Sequence, residues 1–126
     1  MSDYQIFHNP RCSKSRQTLA LLEEHGIEPE QVLYLKQPID EATINSLLIK
    51  LGVNVRDILR NTEDAYKAQN LSDPSLSDEA LIQAIVAEPK LLQRPIVVKG
   101  EKAVIGRPPE NVLALINAWA KPALIF

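Results

Sequence analysis

The order of strand-like and helix-like segments predicts an α/β fold. Three observations carry that prediction: a strand–turn–helix–strand opening, a mostly helical middle, and a hairpin followed by a helix at the end. Residues 4–8 alternate weakly around Ile6 and Phe7, as a short strand does. Asn9-Pro10-Arg11 reads as a turn, because proline fixes its own φ and cannot donate to a strand ladder. From 13 to 25 the composition is helical, with Leu19, Leu21 and Leu22 on or near one face and Gly26 as the C′ residue. Residues 32–35 give a second strand, so Cys12 falls at a strand-to-helix junction of a βαβ unit.

Residues 40–90 read differently. Asp40 is a candidate N-cap, and Ile44, Leu47, Leu48 and Leu51 follow the i, i+3, i+4, i+7 spacing up to Gly52. Shorter helical pieces are expected over 55–60 and 63–69, and Ser77 should cap a helix running to about Val86. This stretch is too short for a core of its own and shows no linker, so it reads as a helical insert in one domain spanning 1–126. Strands are then expected at 96–98 and 103–105, joined through Lys99-Gly100-Glu101-Lys102. Pro108-Pro109 should start a last helix with Val112, Leu115, Ile116 and Trp119 on one face, ended by Lys121-Pro122 before an apolar tail, 123–126. The order matches a thioredoxin-like fold: a mixed four-stranded sheet with flanking helices and a helical insertion.

Composition narrows the function. The 126 residues are 45% hydrophobic and 24% charged, which supports a packed core and argues against disorder. A domain of this size buries roughly two-thirds of its unfolded surface and needs no disulfide or metal staple. One cysteine cannot bridge itself, and His8 and His25 make a poor ligand set, so no metal is expected. The net charge is −2 with Lys and Arg scattered, which weighs against nucleic acid or a membrane surface as partner. No apolar stretch approaches the ~20 residues of a membrane span. The first residues, Met-Ser-Asp-Tyr-Gln, lack the basic flank and apolar run of a signal peptide. A lone thiol in such a chain reads as cytoplasmic.

Cys12 is the candidate reactive centre. Its neighbours, Asn9-Pro10-Arg11-Cys12-Ser13-Lys14-Ser15-Arg16, are almost wholly polar, whereas an inert core cysteine has apolar ones. Free N–H groups and the dipole at a helix start favour an anion there. A free thiol is only a few per cent ionised at neutral pH. Lowering its pKa by about two units needs about 2.7 kcal/mol of differential stabilisation. A helix terminus supplies about 0.3–1 kcal/mol, up to ~2 in a sheltered site, so nearby donors and cations must add the rest. His8, Arg11, Ser13, Lys14, Ser15 and Arg16 are the local candidates. Ser15 stands where a CxxC motif would hold its second cysteine, so a redox cycle at Cys12 needs an outside thiol.

Nearly the whole chain, from Tyr4 to about Ala118, resembles the glutaredoxin- and glutathione-dependent arsenate reductases. The likeness rests on the run from His8 to Arg16, on Tyr34-Leu35, on Gln93-Arg94-Pro95-Ile96-Val97, and on Ile105-Gly106-Arg107-Pro108-Pro109-Glu110. The resemblance implies that Cys12 attacks arsenate and that Arg60, Arg94 and Arg107 form the oxyanion site. It implies that His8 helps keep the thiolate, that Ser15 hydrogen-bonds it, and that Asn9 and Arg11 shape the anion loop. It also implies a cis bond between Arg94 and Pro95, no bound cofactor, glutathione as cosubstrate and glutaredoxin as partner. Arginine forks do match tetrahedral oxyanions with paired hydrogen bonds. Arg94 and Arg107 both precede proline, which restricts their backbones. Two alternatives share the fold: another glutathione-linked thiol oxidoreductase, and a Spx-like regulator that binds RNA polymerase through a CxxC switch. The serine at position 15 and the three arginines weigh against the regulator.

Overall fold

The computed structural model describes residues 3–117. They fall into two compact units, one made of the residues up to Leu33 and from Arg94 onward, the other of Tyr34–Gln93.

The first unit is built on four strands: β1 (Tyr4–Phe7), β2 (Glu30–Val32), β3 (Ile96–Lys99) and β4 (Lys102–Ile105). Their spatial order is β2-β1-β3-β4. β2 runs parallel to β1, while β3 is antiparallel to β1 and β4 antiparallel to β3, giving the mixed sheet expected. Helix α1 (Ser13–Glu24) makes the crossover from β1 to β2. It ends as the leucine spacing and Gly26 predict. Gly26 takes φ +75°, its N–H donates to Glu23 O, and Ile27 N–H reaches back to Leu22 O. The hairpin turns through Gly100 at φ +58°, the position where a tight two-residue turn favours glycine.

The register decides where the chemistry collects. Phe7 is level with Ile96, and Ile96 with Ile105. The segments leaving β1, entering β3 and leaving β4 therefore meet at one end of the sheet. Tyr4, Ile6 and Val97 pack with Leu22 of α1 and with Val112 and Leu115, and Leu19, Leu21 and Ile116 lie against that cluster. Fully burying one such side chain contributes about 1.5–3 kcal/mol.

In the second unit, α2 (Glu41–Leu51) starts at Asp40, whose carboxylate accepts from Thr43 N–H at 2.9 Å. Gly52 ends it at φ +69°. Ser77 caps α4 (Asp78–Ala87), its hydroxyl accepting from Ala80 N–H at 3.1 Å. α4 packs on α2 and on two 3-10 turns, Val55–Ile58 and Pro89–Leu91.

Some boundaries differ from expectation. β2 is Glu30–Val32, not 32–35; it is an edge strand of largely exposed residues, so its apolar signal was weak. Tyr34 and Leu35, which looked strand-like, lie in a turn, with Tyr34 buried. The piece at 55–60 is a single 3-10 turn, and that at 63–69 is α3 (Asp64–Ala68). The last helix opens as a 3-10 turn, Pro109–Val112, before α5 (Leu113–Asn117). Trp119, Lys121-Pro122 and the apolar tail lie outside the described residues.

Candidate active site

Cys12 is the N-cap of α1, with extended backbone at φ −92° and ψ 123°. No side chain caps the helix, and no acidic residue stands in its first turn. Two of the first-turn N–H groups, of Ser15 and Lys14, are left to face the sulfur.

The loop that delivers Cys12 is held by its own polar groups. Asn9 O accepts from Cys12 N–H at 2.9 Å, and Asn9 Oδ1 accepts from Arg11 N–H at 3.0 Å. Asn9 N–H donates to Ser15 Oγ at 3.0 Å, and Ser15 Oγ lies 2.6 Å from His8 Nδ1. Ser15 Oγ thus joins the Asn9 backbone to the His8 ring. His8 is 4% exposed, and burial, followed by the charge of Arg16, pushes its pKa below the ordinary histidine value. Burial thus disfavours the charged form of His8. Its ring bonds to Ser15, and through Ser15 and the loop it is linked to Cys12.

Two arginines come to the sulfur from the neighbouring strands, at the same end of the sheet. Arg94 lies two residues before β3, with a cis bond to Pro95 as expected; Arg107 lies two residues after β4, with a second cis bond to Pro108. Arg107 Nη1 lies 3.8 Å from Cys12 Sγ and also donates to Arg94 O at 3.3 Å. Burial pushes the Cys12 thiol up. The Ser15 N–H, a hydrogen bond from Arg94, the Lys14 N–H and the charge of Arg94 together outweigh it, and the pKa falls below that of an ordinary thiol. The helix end and the cations thus act jointly, as the energy comparison required.

The structure thus brings Cys12, His8, Asn9, Ser15, Arg94 and Arg107 together. Ser15 serves the sulfur through its backbone, while its hydroxyl serves His8 and Asn9. Arg11 contributes its backbone N–H to the loop, and its side chain is exposed. Arg60 belongs to the helical unit, where its guanidinium donates to Glu63 at 3.2 Å and to Gln93 at 2.9 Å. Thr18 escaped the sequence reading, and Gly106 entered it only as part of the run from Ile105 to Glu110. Thr18 is fully buried and its hydroxyl reaches Gly106 O. A threonine on the apolar side of a helix, and a glycine directly before an Arg-Pro pair, were the available signals. Among the described residues, no three His, Cys, Asp or Glu side chains are placed to hold a metal.

A thiolate between open N–H groups and guanidinium ions can receive a tetrahedral oxyanion and attack its central atom. Comparisons with known proteins place the chain in a family. The chain is 61% identical over 114 residues to the uncharacterized protein YfgD of Escherichia coli K12, covering 90% of this chain and 96% of that one. It is 47% identical over 117 residues to an arsenate reductase of Neisseria meningitidis, covering 92% of this chain and all of the relative. The solved structure of an arsenate reductase from Vibrio cholerae matches with a TM-score of 0.86 at 50% identity, over 87% of this chain and 94% of that one. The ArsC family model matches residues 7–115. With its sheet, its cysteine loop and nearly its whole length accounted for, the chain belongs to the ArsC family.

Proposed function

We propose that this protein reduces arsenate to arsenite, with Cys12 as nucleophile and glutathione and glutaredoxin as the external reductants. The observation that carries the reading is the sulfur of Cys12 at an uncapped helix start with Arg107 Nη1 3.8 Å away. Its depressed pKa supports the same role. The named relatives support arsenate as the oxyanion.

Arsenate, a dianion near neutral pH, docks on Arg94, Arg107 and the N–H groups of Lys14 and Ser15. The Cys12 thiolate forms a sulfur–arsenic bond as one oxygen leaves, protonated, as water. The arginines and N–H groups stabilise the charge on the remaining oxygens. A glutathione thiolate then displaces a second oxygen as water. A glutaredoxin thiolate attacks the glutathione sulfur, and the electron pair of that sulfur–arsenic bond stays on arsenic. Arsenic falls from As(V) to As(III), and the two sulfurs become a mixed disulfide. Water cleaves the remaining bond to Cys12 and releases arsenite.

The test is arsenate reduction with glutathione, glutaredoxin and glutathione reductase, followed as NADPH oxidation. The wild type should turn over and Cys12→Ser should not. Undiminished turnover by Cys12→Ser would overturn the assignment. Wild-type activity on a glutathionylated peptide without any on arsenate would move the reading to another glutathione-linked reductase.

A further inference from the structure

Thr18 lies six residues beyond Cys12 in α1 and takes no part in the steps above. It is nonetheless wholly buried. Its single hydroxyl hydrogen is shared between two carbonyls, Lys14 O at 2.8 Å, one helical turn back, and Gly106 O at 3.2 Å. The longer branch is the weaker of the two, and it ties the helix across to the end of β4. Gly106 is tied on its other side too, its N–H donating to Pro95 O at 2.9 Å. One peptide segment is thus joined to the helix that starts at Cys12 and to the residue after Arg94. The next residue along is Arg107.

The approach is also close. A Cβ on Gly106 would stand 2.7 Å from Thr18 Oγ1, 2.9 Å from Thr18 Cγ2 and 2.9 Å from Pro95 Cγ. Glycine is needed there for space, since its φ is not in the left-handed region. A missing side chain on one element and a threonine on the other fix the gap between them.

We infer that Thr18 and Gly106 are positioning residues: their contact sets the end of β4, and hence Arg107, against the helix that starts at Cys12. The inference rests on the proposed oxyanion site, which it deepens by naming what holds its parts in place. Catalytic geometry is steep in distance, and a misplacement of about 1 Å can cost about 10²-fold in rate.

Three variants test it: Thr18→Val keeps the shape and removes the donor, Thr18→Ser keeps the donor, and Gly106→Ala forces the gap open. Each is read by thermal melting, by titration of the Cys12 thiolate through its ultraviolet absorbance, and by KM and kcat for arsenate. For Thr18→Val we expect the thiol to titrate at higher pH and KM to rise about tenfold with a smaller change in kcat, the pattern of lost binding. Thr18→Ser should restore both, and Gly106→Ala should exceed Thr18→Val in both. A folded Thr18→Val that melts earlier, yet keeps the wild-type titration and KM, would reduce Thr18 to a core residue and end the proposal. If the wild type fails to reduce arsenate, the proposed function falls, while the thiolate titration still decides this inference.

Discussion

Helices α1 and α2 begin in opposite ways. α2 opens under the carboxylate of Asp40, with Glu41 in its first turn; α4 likewise opens under Ser77, followed by Asp78 and Glu79. Each supplies its own oxygen, and in each acidic residues meet the positive end of the helix dipole. α1 opens on a sulfur, with no oxygen cap and no acidic residue in its first turn. Its N–H groups turn to Cys12 and are reinforced by two arginines. A helix whose start is capped by its own side chain is a structural part. One left unsatisfied by its own side chains retains donors for a reacting anion, and it is less stable for that.

The largest expected effect comes from making α1 resemble α2. Cys12→Asp should abolish arsenate reduction, since no sulfur remains to bond arsenic, yet stabilise the fold by about 1 kcal/mol through a new N-cap. Denaturant unfolding beside the activity assay measures both; a loss of stability would show that the sulfur, not the missing oxygen, is what this helix end requires. The pH dependence sharpens the point. The folded chain holds the Cys12 thiol below its ordinary value. Ionised sulfur therefore favours the folded state, fully at pH above the unfolded thiol's range and progressively less as pH falls through the lowered value. That slope should vanish in Cys12→Asp.

A middle-sized effect belongs to the capped helices. Asp40→Ala and Ser77→Ala should each cost about 1 kcal/mol of stability and leave the thiol titration unchanged. A shifted titration in either variant would break the division between capped and open helix ends. The smallest effect is expected at Ser13, an exposed first-turn position of α1. Ser13→Glu places a negative charge beside the open end. At about 0.3–1 kcal/mol, it should raise the thiol pKa by less than about one unit. Iodoacetamide labelling against pH would detect it, and a fall instead of a rise would contradict the electrostatic account.

Sequence alone determined a good deal of this. The helix caps Asp40, Ser77 and Gly26 act within a turn of themselves, so they were legible as residue types at a spacing. The hairpin through Gly100 was legible for the same reason, as was the placement of Cys12 between a strand and a helix. What sequence could not settle was set by pairing at a distance. The polar edge strand Glu30–Val32 becomes a strand because β1 offers it a partner in register. Residues 12, 94 and 107 converge because Phe7, Ile96 and Ile105 are level across the sheet. Ser15 was legible as a partner of Cys12, but only the fold turned its hydroxyl to a buried His8. The contact between Thr18 and Gly106 became visible only once two segments 88 positions apart were packed together. Local chemistry is written in neighbouring residues, whereas the approach of distant segments follows from sheet register and from the volume left between packed elements.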